Sequence, residues 1–351
     1  MRSRRCRGGS AHSRDASADG QTWRAAGTLP AVLLLTGATG TVGRALLRPL
    51  IDAGTPVRCL VRDPRRLGPD RVRVQIALGD LGDHLSFRHA LRGVDTVVHL
   101  ASVIRDQPHG SIEELSGVAT WRLVQAAERA GVTRFVFFST LGASTRSRGR
   151  LMRAKAVAES AVAASSLQHT VFAPSIIYAP GDPYLRLLQR MSWLPVMAIP
   201  GAGRAEFQPI SADDVAACVM AALPGGPCAD AAASARYELA GPETLTHREI
   251  VALALRSFGR RRRILSVPLW LTRRILRTVE LVGGPTAFAT RDEAELLEIP
   301  LISARGTADA RALGVSPRPM GQVLGLAPPT AASAPAVPPE PAGGPPAPAG
   351  R

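Results

Sequence analysis

Leu33-Leu34-Leu35-Thr36-Gly37-Ala38-Thr39-Gly40-Thr41-Val42-Gly43 is the stretch whose reading decides the fold. Ala31 to Leu35 is an apolar run of strand length, and Val42, Leu46, Leu47 and Leu50 recur at helical spacing. Between them stand three glycines in the pattern G-x-x-G-x-x-G. A strand that turns through glycine into a helix gathers free backbone N–H groups and the positive helix end at one point, which suits a pyrophosphate. Gly37 permits the tight turn, Gly40 lets backbone approach a phosphate, and Gly43 lets helix and strand pack closely. Thr39, Thr41 and Val42 supply the rest of that cradle.

Outward from this turn, strand and helix signals alternate. Apolar runs predict strands at 31–36, 57–61, 72–77, 95–100, 133–139 and 169–174, and helical periodicity predicts helices at 42–53, 85–92, 112–130 and 150–164. Alternation of this kind implies an α/β protein with a doubly wound parallel sheet and helices on both faces. Pro49 falls inside the first helix and should kink it or loosen its later turns. Beyond Pro174 the pattern breaks into short segments punctuated by Pro180-Gly181-Asp182-Pro183, Pro195, Pro200-Gly201 and Pro209. A further strand is expected at 237–240, and Thr246 and Glu249 have the spacing of a capping box. The expected organisation is a leader at 1–28, a dinucleotide-binding domain at 29–180, a smaller substrate-side region at 181–326 and a Pro/Ala-rich tail at 327–351.

Composition limits the function classes. The 351 residues can bury a sizeable core, and no run of eighteen apolar residues suggests a spanning helix. The four cysteines are scattered without a C-x-x-C, so neither a metal site nor a disulfide framework is expected, and a reducing cytoplasm fits. The net charge of +15 is spread along the chain without a recognition-helix or RNA-binding signature, which argues against a nucleic-acid partner. Residues 1–28 are rich in Arg and Ser and poor in acids, reading as a disordered leader or a transit peptide. The segment 269–282 sets Leu269, Ile275, Leu276, Val279 and Val282 beside Arg273, Arg274 and Arg277. It reads either as a packed helix or as a peripheral contact with a membrane or a partner complex.

The second strand ends in Arg62-Asp63-Pro64-Arg65-Arg66. A carboxylate here reads the ribose hydroxyl of NAD, and an arginine reads the 2′-phosphate of NADP. Arg62 favours NADP(H) over NAD(H), while Asp63 keeps the second open. Asp80, followed by Leu81, is positioned for the adenine amino group. Leu100, Ala101 and Ser102 follow the fourth strand and would flank the cofactor. His99 reads as a packed core histidine.

The ordered motifs T-G-A-T-G-T-V-G, V-R-D-P, G-D-L, V-V-H-L-A-S, F-V-F-F-S-T and Q-P-I-S-A-D-D-V resemble the extended and atypical short-chain dehydrogenase/reductase superfamily over residues 31 to 325. The stretch Tyr237 to Glu243 is similar to the subgroup containing the nucleotide-binding accessory subunit of respiratory complex I. The resemblance implies a Rossmann-like sheet, a nicotinamide dinucleotide, and cofactor contacts at Lys155 and Pro174. Catalytic members carry a tyrosine four residues before a lysine. The tyrosine moves a proton, the lysine lowers its pKa and bonds the ribose, and a Ser or Thr holds the substrate oxygen. Here Lys155 matches the lysine and Thr140 the hydroxyl residue, but Leu151 stands at the tyrosine position. Tyr178 reads as a substitute acid or as a packing tyrosine. Lys155 is also the only lysine among 43 basic residues, in a chain that otherwise uses arginine. An ammonium fits between two ribose hydroxyls where a flat guanidinium does not. Two functions follow as expectations: a dinucleotide-binding redox protein or accessory subunit, or an active oxidoreductase or epimerase/dehydratase-type enzyme acting on an apolar small molecule (a quinone or isoprenoid) or a nucleotide-sugar-like substrate.

Overall fold

The computed structural model describes residues 31–283 and 290–326. The leader at 1–28 and the tail at 327–351 lie outside the described residues. In chain order the elements are β1 (Val32–Thr36), α1 (Thr41–Asp52), β2 (Val57–Val61), β3 (Gln75–Leu78), β4 (Val94–His99), α2 (Ala119–Arg129), β5 (Arg134–Phe138), α3 (Arg150–Ala163) and β6 (Gln168–Pro174). There follow β7 (Ile177–Tyr178), α4 (Pro183–Met191), β8 (Val196–Pro200), β9 (Glu206–Phe207), β10 (Ile210–Ser211), α5 (Ala212–Ala222), β11 (Ala235–Leu239), β12 (Leu245–Thr246), α6 (His247–Ser257), β13 (Arg263–Val267), α7 (Leu269–Gly283) and α8 (Arg291–Leu296).

Seven strands form one parallel sheet in the order β11-β6-β5-β4-β1-β2-β3. The order reverses between β1 and β4, so a crevice opens at the carboxyl ends of those strands, where α/β sheets bind ligands. Alternation along β1 explains why its sequence is apolar throughout. Leu33 and Leu35 face α1 and α5, packing with Leu46, Leu47, Leu50, Val215 and Val219. Leu34 faces the other way, with Val97, Leu123, Phe135, Phe137 and Val162. A third core holds Met197, Ile199, Phe207, Ile250, Val251 and Leu301. The capping box at the start of α6 is present, with Thr246 accepting from Glu249 N–H and the Glu249 carboxylate accepting from Thr246 N–H. Despite Pro49, α1 runs on to Asp52.

Two expected elements differ. The strand expected at 72–77 starts three residues later. Asp63 caps a 3-10 stretch, Pro64–Val72, and Arg73 N–H closes onto Asp70 O, which leaves Val72 exposed and outside the sheet. The helix expected at 85–92 is only a 3-10 turn, Arg88–Leu91. Ser86 Oγ ties its start to the Asp80 and Asp83 carbonyls, and Gly93 at φ 68° turns the chain at once into β4.

Candidate dinucleotide site

The glycine turn is built from backbone. Gly37 has φ 74°, and a Cβ there would come within 2.7 Å of Ala101 N. A Cβ at Gly43 would collide with Gly37 O, so only glycine lets α1 enter this close to β1. Gly40 N–H donates to Gly37 O at 2.9 Å and closes the turn. α1 starts at Thr41 with no side-chain cap and no acid in its first turn. Its first N–H groups therefore offer themselves to an anion. This crowding and uncapped helix end fit the diphosphate of a nicotinamide dinucleotide.

The ends of β1 and β4 are locked together below the turn. Ala101 N–H donates to Thr36 Oγ1 at 3.3 Å, and Thr36 Oγ1 lies 2.7 Å from His99 Nδ1. Thr120 donates to Ser116 O, so its oxygen accepts from His99 Nε2–H at 3.0 Å. His99 is fully buried, and desolvation, with the nearby charge of Lys155, lowers its pKa to about 3. It is a packed neutral histidine. Ser116 lies on a single π-turn, Glu114–Val118, leading into α2, and bonds both Ser102 Oγ and Val103 N–H. Such turns concentrate at functional sites.

Just past the end of β2, Arg62 turns towards Asp80. The two are 3.9 Å apart, and Arg62 donates to His109 Nε2 at 3.0 Å. Asp80 also accepts from Gly82 N–H. Leu81 packs beside the second core. Next to the glycine turn, Arg44, Arg65 and Arg66 line a cavity of about 360 Å³ with Ala38 and Leu67.

The opposite side is built from side chains. Lys155 is buried, and its Nζ donates to Phe138 O at 2.6 Å while lying 5.0 Å from the centre of the Phe137 ring. Burial lowers its pKa to about 7. Thr140 follows β5, and its hydroxyl donates to Leu141 O at 3.2 Å and Pro174 O at 3.5 Å. Pro174 closes β6 and is buried. The half-buried Leu151 lies in the first turn of α3, one turn before Lys155. Tyr178 belongs to the third core, where its hydroxyl has no partner among the described residues. Burial, and then the carboxylate of Asp214, push its pKa up.

Arg150 was not anticipated from the sequence. It begins α3 and makes paired contacts with Asp106 (2.9 and 3.0 Å) and Glu113 (2.9 and 2.7 Å), plus one to Asp292 at 3.2 Å. The Glu113 hydrogen bonds, then those of Asp106, raise the Arg150 pKa, and Arg150 in turn holds Glu113 below the usual carboxylate range. The signal lay in its position. A cation in the first turn of a helix opposes the dipole, so it needs carboxylates nearby. Asp292 sits on α8, whose Glu293 and Glu295 pair with Arg105 and Arg273.

This site, on a parallel sheet of this order, is that of a dinucleotide-binding protein. Residues 37–224 match the family model described as NAD(P)H-binding, and the chain belongs to that family. It is 30% identical over 237 residues to NADH dehydrogenase (ubiquinone) 1 alpha subcomplex subunit 9, mitochondrial, of Arabidopsis thaliana. That match covers 63% of this chain and 56% of the relative, so the chain spans little more than half of that relative's length. It is 32% identical over 235 residues to (4-alkanoyl-5-oxo-2,5-dihydrofuran-3-yl)methyl phosphate reductase of Streptomyces griseus, covering 65% of this chain and 74% of the other. Among solved structures, the UDP-glucose 4-epimerase of Thermus thermophilus complexed with NAD shares the fold, with TM-score 0.63 at 17% identity over 84% of this chain and 97% of the other.

Proposed function

We propose that this chain is an atypical short-chain dehydrogenase/reductase-like protein that holds NADP(H) in preference to NAD(H) and lacks the usual proton-relay tyrosine. Its role is that of a redox-related dinucleotide-binding protein or accessory subunit. The observation that carries this reading is Leu151 one turn before Lys155, with Lys155 buried and bonded to the Phe138 carbonyl. Leucine transfers no proton. A bound nicotinamide dinucleotide supplies a hydride donor or acceptor, and the residues at 29–180 do the holding. Gly37, Thr39, Gly40, Thr41, Val42 and Gly43 take the diphosphate; Asp80 and Leu81 flank the adenine; Leu100, Ala101, Ser102 and Pro174 line the path towards the nicotinamide. Lys155 bonds a ribose hydroxyl while its other contact stays on Phe138 O. Arg62, Arg65, Arg66 and Arg44 surround the 2′-phosphate. Residues 181–326 form the substrate side, and the protein works in the cytoplasm, attached peripherally through 269–282.

A second reading, an active reductase or epimerase/dehydratase-type enzyme on a quinone, isoprenoid or nucleotide-sugar-like substrate, is favoured by Thr140 just past β5, by Lys155 of α3 bonded to the last carbonyl of β5, and by similarity to a reductase. In that case Tyr178 or a group on the substrate donates the proton. One experiment separates the two: NADPH and NADH are titrated into the wild type and Arg62→Ala, then NADPH consumption is followed across a carbonyl panel. Stoichiometric NADPH binding without turnover supports the first reading, and turnover the second. Arg62→Ala is expected to weaken NADPH by about 1.5–3 kcal/mol and leave NADH unchanged. Equal losses for both cofactors would remove Arg62 from the 2′-phosphate.

A further inference from the structure

From Ile250 to Val279 the chain carries eight arginines and no carboxylate. Among the described residues the same segment leaves four large apolar side chains exposed: Leu265, Trp270, Leu271 and Ile275. β13 pairs in parallel with β8, with Leu265 opposite Ala198 and Arg263 opposite Val196. Met197 and Ile199 point into the third core, so Val196, Ala198, Arg263 and Leu265 share the outer face of this two-stranded sheet. Leu265 is 54% exposed.

Exposed tryptophans stand at both ends of this strand pair. Trp193 and Leu194 precede β8, with Trp193 75% exposed and the Arg260 guanidinium 3.6 Å from its ring centre. Arg262 fastens this corner by donating to the Ser192 and Leu194 carbonyls. At the other end β13 runs through Pro268 into α7, where Trp270 is 62% exposed and Leu271 and Ile275 are also exposed. A five-residue strand separates the two ends by about 17 Å. Arg261, Arg263, Arg274 and Arg277 are exposed around the face and form no ion pair with a described carboxylate.

We propose that the β8–β13 face, together with the first turns of α7, docks on an anionic lipid bilayer. Its chemistry matches a membrane interface. Tryptophans favour the headgroup level, exposed leucine and isoleucine reach the acyl boundary, and arginines meet lipid phosphate. No described helix is long and apolar enough to cross a membrane, so this contact lies on the surface. The inference rests on the peripheral attachment named above, which it extends from α7 alone to a sheet face and a Trp193 corner; it does not depend on nucleotide binding.

The test is co-sedimentation with phosphatidylcholine vesicles with and without phosphatidylglycerol. The wild type is expected to bind only the anionic vesicles, less tightly as salt rises. Each Arg274→Gln or Arg277→Gln change should weaken binding about fivefold, the factor for about 1 kcal/mol per basic residue. In the wild type, brominated lipid should quench tryptophan emission, and Trp270→Phe should remove part of that quenching. NADPH affinity measured on the same variants should not move, which keeps a failure of docking distinct from a failure of the nucleotide site. Equal binding to neutral vesicles, no binding to either, or a lipid-independent dimer abolished by Trp270→Phe would overturn the proposal, the last by assigning the face to a second copy of the chain.

Discussion

The two ends of the proposed dinucleotide cradle are made differently. The diphosphate end is backbone: a left-handed glycine, a turn closed by Gly40 N–H, and an uncapped helix, all within residues 36 to 44. The other end is side chain: Lys155 bonds Phe138 O, Thr140 bonds Pro174 O and Ser116 bonds Ser102 and Val103, while Arg150 at the start of α3 ties that helix to Asp106, Glu113 and Asp292. A backbone site tolerates no change in its glycines and is indifferent to many other substitutions. A side-chain site can lose one member and keep the rest. The proposed loss of the tyrosine at Leu151, with Lys155 still in place, is of the second kind.

The largest expected effect breaks the backbone end. Gly37→Val places a β-branched residue at φ 74° against Ala101 N. Left-handed strain and overpacking each cost about 1–3 kcal/mol, so the variant should lose roughly 2–6 kcal/mol of stability and all nucleotide affinity. Urea melts and titration check both. A variant that stayed stable and bound NADPH would show that the close approach of Gly37 to Ala101 is not needed for the turn.

Arg150→Ala should cost less, about 1.5–3 kcal/mol, because hydrogen bonds to charged carboxylates are lost at a partly exposed site. Arg150→Lys keeps the charge but not the paired geometry with Asp106 and Glu113, so it should recover only part of the loss. Identical urea midpoints for wild type and Arg150→Ala would make the cluster a surface ornament.

A third effect depends on pH. The Lys155 pKa falls on folding from 10.5 to about 7. Between those values the unfolded chain binds the extra proton, so this residue's contribution to stability rises with pH, and the cost of burying the charge is full below about pH 7. Each pH unit in the window is worth at most about 1.4 kcal/mol. The stability of wild type relative to Lys155→Met should therefore increase from about pH 7 to about pH 9. A flat difference would mean that Lys155 is solvated as an ammonium in the folded chain.

The same division explains what the sequence revealed. Glycine spacing, the apolar run of β1 and the helical period of α1 are local, so the parallel sheet and the turn could be read directly. His99 was legible as core because it lies in the run Val97-Val98-His99. The Arg150 cluster and the Ser116 π-turn were not, because their partners lie 37 and 142 residues away in one case and 13 and 14 in the other. Val72, Val74 and Ile76 alternate like a strand, but the Asp63 cap and the Asp70 turn hold Val72 outside the sheet. There, local capping overrode the pattern.

The most direct test of the account is calorimetric titration of NADPH into Lys155→Arg. The side chain stays basic, but a guanidinium is too wide for the buried place of Lys155 between Phe137 and the Phe138 carbonyl. Binding at least about tenfold weaker than wild type is expected, with the Gly37 turn still intact by urea melting. Binding as tight as that of the wild type would contradict it and leave Lys155 as a structural residue with no hand in holding the dinucleotide.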